Sequence, residues 1–235
     1  MFSDVDESTL PMIFLPGLNG DARVFAPQLE RFPSLIVARW QPPLKSDSLA
    51  AYAARLARSL DPDGPCLVGG VSFGGIVALE VARNLEARAC LLIASSQDAK
   101  GLPATIRLLR PVAAVANAAA LNCTIHHGGM LAASSSRRLR RRIARLSPEE
   151  LRFRRWALKA LLTWQPPSLS CPVLQIHGEC DSTFAHSRSQ ADVVVRNAGH
   201  LLTLTHADQV NAFISSALFR YGFSARAQTQ AKVEK

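Results

Sequence analysis

The residues best suited to catalysis are five neighbours, Gly70 to Gly74, which read Gly-Val-Ser-Phe-Gly and form a G-x-S-x-G motif. An apolar segment from Cys66 to Gly70 leads into the serine and an amphipathic helical segment follows, so the motif is predicted at a strand-to-helix turn. Such a turn strains the central residue and leaves room only for glycine two positions to either side. Ser72 is therefore a candidate nucleophile, with a helix N-terminus favouring the negative charge that develops beside it. The alternative is a glycine-rich turn with an incidental serine.

The segments around this motif alternate between short apolar runs, typical of buried strands, and runs with helical spacing. This alternation predicts an α/β protein with a mostly parallel, doubly wound sheet of about six strands, covered by helices on both faces. The predicted strands are Pro11–Leu15, Leu35–Arg39, Cys66–Gly70, Arg88–Ala94, Pro172–His177 and Ala191–Val195. The predicted helices between and after them are Asp21–Arg31, Ser46–Leu60, Phe73–Leu85 and His206–Tyr221.

The alternation breaks between residues 95 and 170, where the pattern predicts helices and no strand. Its last helix has clear start signals: Ser147 is followed by Pro148 and Glu150, the residues of a capping box with proline at the first helical position. We therefore predict an α/β core at residues 1–94 and 171–221, an inserted helical cap at 95–170, and a flexible C-terminal tail at 222–235.

Composition supports a folded chain without a membrane span. The 235 residues are 48% hydrophobic and 19% charged, with a formal net charge of +9, which is typical of a globular protein. The acidic N-terminus does not resemble a secretory signal, and no apolar run is long enough to cross a bilayer. The five cysteines include no C-x-x-C pair, so neither a disulfide framework nor a zinc site is predicted. A cytoplasmic location is expected.

Over nearly its whole length the chain resembles α/β-hydrolases that use a serine nucleophile. The segment 176–181, Ile-His-Gly-Glu-Cys-Asp, is similar to the turn that carries the acid in that family, and 197–202, Asn-Ala-Gly-His-Leu-Leu, is similar to the histidine loop. The resemblance implies Ser72 as nucleophile, Asp181 as acid and His200 as base, in the chain order of this fold. Asp98 is an alternative acid, because some members carry the carboxylate after the fourth strand.

The resemblance also implies an oxyanion hole made of two backbone N–H groups, those of Phe73 and Leu18. Leu18 belongs to the loop Pro16–Gly20, where relatives often have His-Gly in place of Pro16-Gly17. Only 18 residues separate the predicted acid from the predicted base, so we expect a compact form of the fold with a crossover helix of about two turns.

The chemistry implied is hydrolysis of a carboxylic ester or thioester through an acyl-enzyme, without a cofactor or a metal ion. A thioesterase or methyl-esterase acting on a carrier-bound acyl chain is the nearest alternative. Lyase or peroxidase-like chemistry on the same scaffold stays open, because the fold does not determine the reaction. A non-catalytic binding protein that kept the scaffold is the alternative from another class.

An arginine-rich stretch supplies most of the positive charge. Nine arginines lie between residues 137 and 155, opposed there by Glu149 and Glu150. A solvated face of the cap would explain them. The functional alternative is a patch, represented by Arg138, Arg141 and Arg142, that docks an acidic partner such as an acyl carrier protein. No aromatic residues interleave those arginines, so nucleic acid is not an expected partner, and the oligomeric state is not predicted.

Overall fold

The computed structural model describes residues 10–115 and 146–222. Six parallel strands form one sheet in the order β2-β1-β3-β4-β5-β6. The strands are β1 (Met12–Leu15), β2 (Leu35–Val37), β3 (Cys66–Val71), β4 (Ala87–Ile93), β5 (Val173–Gly178) and β6 (Val193–Val195). The predicted sheet class and strand number are confirmed.

The helices of the described residues cover this sheet. They are α1 (Ala26–Arg31), α2 (Leu49–Leu60), α3 (Phe73–Ala82), α4 (Ala104–Val115), α5 (Pro148–Thr163), α6 (Leu202–Thr205) and α7 (Ala207–Tyr221), with 3₁₀ turns at Ala22–Phe25 and His186–Arg188. None of the helices in these two described ranges is both long and apolar enough to cross a membrane.

Side chains that alternate along the central strands build a core on each face of the sheet. In β1, Ile13 and Leu15 point into the core that includes α2, α3 and α5, whereas Met12 and Phe14 point into the core that includes α7. All four are at most 1% exposed. Burial on both faces is what a parallel sheet between two helical layers requires, and it accounts for the uninterrupted apolar runs in the sequence.

Three predicted elements differ from those observed. The helix after the motif, α3, is buried along its whole length instead of being amphipathic, because β3, β4 and α2 pack around it. The first predicted helix is a 3₁₀ turn capped by Asp21 followed by the short α1, with a proline in its first turn. The crossover between the predicted acid and base contains a single 3₁₀ turn, His186–Arg188, where two turns of helix were expected.

Residues 95–170 contain no strand in the part that the structure describes, only α4 and α5. The start of α5 matches the sequence signal: the Ser147 hydroxyl accepts from the backbone N–H of Glu150, and the Glu150 carboxylate accepts from the N–H of Ser147. The assignment of this region as a separate cap, and of 222–235 as a flexible tail, stays a prediction.

A buried carboxyl group ties the end of α5 to the centre of the core. Glu80 of α3 is 2% exposed, and its Oε1 accepts a 2.8 Å hydrogen bond from the indole N–H of Trp164. Its Oε2 has no hydrogen-bond partner among the described residues. Burial raises the pKa of Glu80, although the bond to Trp164 and the charge of Arg83 act in the opposite direction.

We expect Glu80→Gln to stabilise the fold at pH 7 by about 1 kcal/mol, because glutamine keeps an acceptor for Trp164 without the cost of a buried charge. An acid whose pKa is raised on folding loses stability as the pH rises from its ordinary value, 4.5, through the raised one, so the advantage of the variant should shrink as the pH falls toward 4.5. Thermal unfolding of both proteins between pH 4 and 8 measures this difference. A constant difference over that range would show that the charge of Glu80 is not the cause.

Candidate active site

The predicted nucleophile lies where β3 turns into α3. Ser72 has φ 59° and ψ −125°, a strained conformation for a residue with a side chain. A Cβ on Gly70 would lie 2.4 Å from the carbonyl oxygen of Gly74, and a Cβ on Gly74 would lie 2.2 Å from those of Leu15 and Pro16. The motif therefore needs glycine on both sides of Ser72 because the backbone passes too close for any side chain.

We expect Gly74→Ala to destabilise the fold by about 3 kcal/mol or more, since the obstructing atoms are backbone carbonyls of β1 and its following loop. Gly64→Ala is the matched control, because a Cβ at Gly64 meets nothing within 4 Å. Urea unfolding of the two variants and the parent compares their free energies. Equal stability of Gly74→Ala and Gly64→Ala would contradict the packing described for this turn.

Two hydrogen bonds join the three predicted catalytic side chains. The Oγ of Ser72 lies 3.0 Å from Nε2 of His200, and Nδ1 of His200 lies 2.8 Å from Oδ2 of Asp181. Because an ionised carboxylate can only accept, Nδ1 carries the imidazole proton and Nε2 is left to accept from the Ser72 hydroxyl. These residues follow β3, β5 and β6, whose carboxyl ends meet at one edge of the sheet.

Asp181 is held by a tight turn. Its side chain is fully buried, and Oδ1 accepts from the backbone N–H groups of Thr183 and Phe184 at 2.8 and 3.0 Å. Burial acts to raise the pKa of Asp181, but the hydrogen bond and charge of His200, together with these two N–H groups, outweigh it and hold the pKa below its usual value. The carboxyl group therefore stays ionised beside the imidazole.

The alternative acid does not reach this site. Asp98 turns its Oδ1 to the backbone N–H groups of Lys100 and Gly101, at 2.8 and 2.9 Å, and so closes the loop that follows β4. His200 binds Asp181 instead. Of the two candidate carboxylates, the structure brings only Asp181 to the histidine.

The loop after β1 passes directly beside the nucleophile. A Cβ built on Gly17 would lie 3.8 Å from the Cβ of Ser72, so the loop that carries Leu18 adjoins the nucleophile at Gly17. The indole N–H of Trp40 donates to the carbonyl oxygen of Gly17 at 3.0 Å, and the N–H of Gly20 donates to the same oxygen at 2.9 Å. Phe73 begins α3 directly after Ser72, so the loop of Leu18 and the first turn of α3, which carry the two predicted oxyanion donors, both adjoin the Ser72 turn.

Helix α5 covers this loop with aromatic side chains. Phe153 stacks on Trp40 with ring centroids 5.5 Å apart, and it also meets Phe73 edge-to-face at 6.1 Å. On the same helix, the guanidinium of Arg154 donates to the side-chain oxygen of Asn19. The helix thus contacts both the residue after the nucleophile and the loop that carries Leu18.

Several supporting residues were not predicted. Phe184 stacks on the imidazole of His200, with ring centroids 5.9 Å apart and planes 7° apart. The hydroxyl of Ser95, in the loop after β4, donates to the carbonyl oxygen of Ser72 at 2.7 Å and so supports the strained turn. An Asp followed two residues later by a polar residue was a signal for the turn that places Phe184, but no local pattern pointed to Ser95 or Trp40.

The predicted arginine patch, Arg138, Arg141 and Arg142, lies outside the described residues. Of the nine arginines in that stretch, the described ones are on α5, where Arg152 and Arg155 are exposed. Arg152 approaches Glu149 one turn earlier at 3.9 Å. The docking role of the patch stays a prediction.

A family model described as "Thioesterase domain" matches residues 14–95, which include the end of β1, the loop that carries Leu18 and the turn at Ser72. Among curated proteins, the polyketide synthase PksR of Bacillus subtilis (strain 168) is 43% identical over 42 residues. This match covers 18% of the chain and only 2% of that much longer protein.

Solved structures match the chain over most of its length. A thermophilic esterase from Thermogutta terrifontis superposes with a TM-score of 0.60 at 20% identity, covering 90% of both chains. The NocB thioesterase domain, solved as a covalent complex with a fluorophosphonate nocardicin G analog, superposes with a TM-score of 0.56 at 20% identity, covering 91% of this chain and 96% of that one. At such identities the likeness is one of fold.

Proposed function

We propose that this chain, which has the fold of the α/β-hydrolases, hydrolyses carboxylic esters or thioesters through an acyl-enzyme formed on Ser72. The observation that carries this proposal is the hydrogen-bonded chain from Asp181 through His200 to Ser72. Each member is the residue type its position needs: a weak nucleophile, a base that can take its proton, and a carboxylate that orients the base.

The reaction has two halves. In the first, Oγ of Ser72 attacks the acyl carbon while Nε2 of His200 accepts the hydroxyl proton, and the protonated imidazole then gives that proton to the departing alcohol or thiol. In the second, a water attacks the acyl-serine with His200 again as base, releasing the acid and restoring Ser72. Asp181, ionised and fully buried, stabilises the imidazolium formed in each half.

The negative charge on the acyl oxygen needs preset donors at the moment of attack. We assign this role to the backbone N–H groups of Phe73 and Leu18. The first lies at the N-terminus of α3, where the helix also favours negative charge. The second lies in a loop fixed by Trp40 and contacted by α5, so its position does not depend on the substrate.

Thioesters on a carrier are the finer proposal for the substrate. It is supported by the thioesterase family match at residues 14–95 and by the origins of two similar proteins, the polyketide synthase PksR and ClbQ from the colibactin NRPS/PKS pathway. Aromatic residues of α5 and of the loop after β2, including Phe153 and Trp40, lie beside the nucleophile turn and are suited to contact an acyl chain.

A panel of p-nitrophenyl esters and CoA thioesters, with acyl chains from two to twelve carbons, tests the proposal. We expect turnover of both classes, with a rapid burst of p-nitrophenol about equal to the enzyme concentration when the acyl-enzyme accumulates. Folded protein that hydrolyses no member of either class would contradict hydrolysis and favour a binding protein built on the same scaffold. Turnover of esters alone would exclude the thioester assignment.

A further inference from the structure

A groove of about 610 Å³ lies between α4 and the C-terminal end of α5. Its apolar lining includes Pro111 and Leu162, and its cations are Lys100, Arg107 and Arg110. This volume is within the range of small-molecule sites. Neither Ser72 nor its two partners line the groove, so it is separate from the candidate catalytic site.

The groove has a fixed wall because one of its arginines closes the end of a helix. The two terminal nitrogens of Arg110 donate to the carbonyl oxygens of Leu161 and Trp164, each at 2.8 Å. These carbonyls belong to the last turn of α5 and to the residue that caps it, and they have no partner within the helix. Arg110 therefore neutralises the negative end of α5 and leaves a cationic surface facing the groove.

The other arginine of α4 has an unused buried donor. Arg107 lies one turn before Arg110 and Pro111, on the same face of the helix. Its Nε is buried and donates to no other atom in the described part of the chain. A buried donor without an acceptor is unfavourable by about 1–3 kcal/mol, and an anionic ligand in the groove would supply the acceptor.

No described carboxylate offsets these cations within the groove. Asp98, just before Lys100, is engaged by backbone N–H groups, and Lys100, Arg107 and Arg110 form no salt bridge with any described residue. Three cations around one concavity, two of them guanidinium groups, match a phosphate better than a single carboxylate, because a phosphate carries more charge and more acceptor oxygens.

We propose that this groove binds a phosphate group carried by the leaving-group half of a thioester substrate, as in a phosphopantetheine arm or CoA. The inference rests on the proposed thioester hydrolysis. In such a substrate the length of the pantetheine chain separates the phosphate from the thioester sulfur, so the phosphate site must lie apart from Ser72. The groove begins at Lys100 in the loop after β4, and β4 is the neighbour of the strand that carries Ser72 at the same edge of the sheet.

Kinetics on matched thioesters test this inference. The same acyl group is presented on pantetheine, on 4′-phosphopantetheine and on CoA, to the parent and to Arg107→Gln and Lys100→Gln. We expect KM for the two phosphorylated thioesters to rise about tenfold in either variant, with kcat and the pantetheine thioester unaffected. Arg58→Gln, an exposed arginine of α2, is the charge-matched control. Arg110 is left unchanged because it caps α5.

Binding to the Ser72→Ala variant, measured by calorimetry, separates the two proposals. We expect 4′-phosphopantetheine to bind and pantetheine to bind at least about tenfold more weakly, with inorganic phosphate competing. If no thioester is hydrolysed but this pattern is found, the proposed function fails and the phosphate site survives. Equal KM for phosphorylated and unphosphorylated thioesters in parent and variants, or binding of inorganic phosphate alone, would overturn the phosphate site and leave hydrolysis intact.

Discussion

Ser72→Ala should lower kcat for the best ester or thioester by about 10⁴-fold or more, because removing the nucleophile of a hydrogen-bonded triad abolishes its concerted action. KM should change little, since the hydroxyl adds little to ground-state binding. The variant should fold normally, because the backbone sets the conformation of this turn. Among the described residues, the Ser72 side chain forms a hydrogen bond only with His200.

Steady-state kinetics, with the parent and variant expressed and purified in parallel, measure this loss. Ser95→Ala is an instructive comparison, because Ser95 contacts the backbone of Ser72 without reaching the reacting atoms. We expect a far smaller loss there, about tenfold at most. A Ser72→Ala protein with more than about a hundredth of parent activity would mean that another group attacks the substrate.

Asp181→Asn should lower kcat by about 10⁴-fold, because the amide no longer fixes the proton on Nδ1 of His200 and favours the wrong tautomer. Asp98→Asn is the matched control, since Asp98 is the other carboxylate considered from the sequence and its Oδ1 binds only backbone groups. It should keep kcat within a few-fold of the parent. The reverse ranking of the two variants would transfer the role of acid to Asp98.

The pH dependence of stability should also report the ionised state of Asp181. The pKa of Asp181 is depressed in the folded protein, so its ionised form contributes stability above the ordinary aspartate pKa, and this contribution is lost as the pH falls through the folded value. Acid unfolding of Asp181→Asn should therefore depend less steeply on pH below 3.8 than that of the parent. Parallel acid-unfolding curves for the two proteins would contradict the depressed pKa.

The scaffold could be predicted because its signals are local. Each strand is a short apolar run closed by turn residues, and Ser72 lies in a motif that identifies its own backbone geometry. The positions of Asp181 and His200 came from resemblance in two further short segments. The structure places all three at one sheet edge, where strand order alone decides which loops become neighbours.

What could not be predicted depends on contacts between distant segments. Trp164 and Glu80 are 84 residues apart in sequence, and no pattern in either segment predicts the hydrogen bond between them. Helix α3 is buried on all sides because other elements pack around it, and the spacing of apolar residues within the helix does not show this. The contact of Phe184 with His200 was not predicted because the crossover was expected to be helical. In the structure, Thr183 and Phe184 belong to the turn that binds the Asp181 carboxylate and are not part of a helix.

The most direct test of the central claim is the site and rate of fluorophosphonate labelling, read by peptide mass spectrometry, in the parent and in His200→Gln. We expect one adduct per chain, located on Ser72, that forms at least about 10³-fold more slowly in the His200→Gln variant because no base is left to take the hydroxyl proton. An adduct on a different residue, or labelling of Ser72 at the same rate in both proteins, would contradict it.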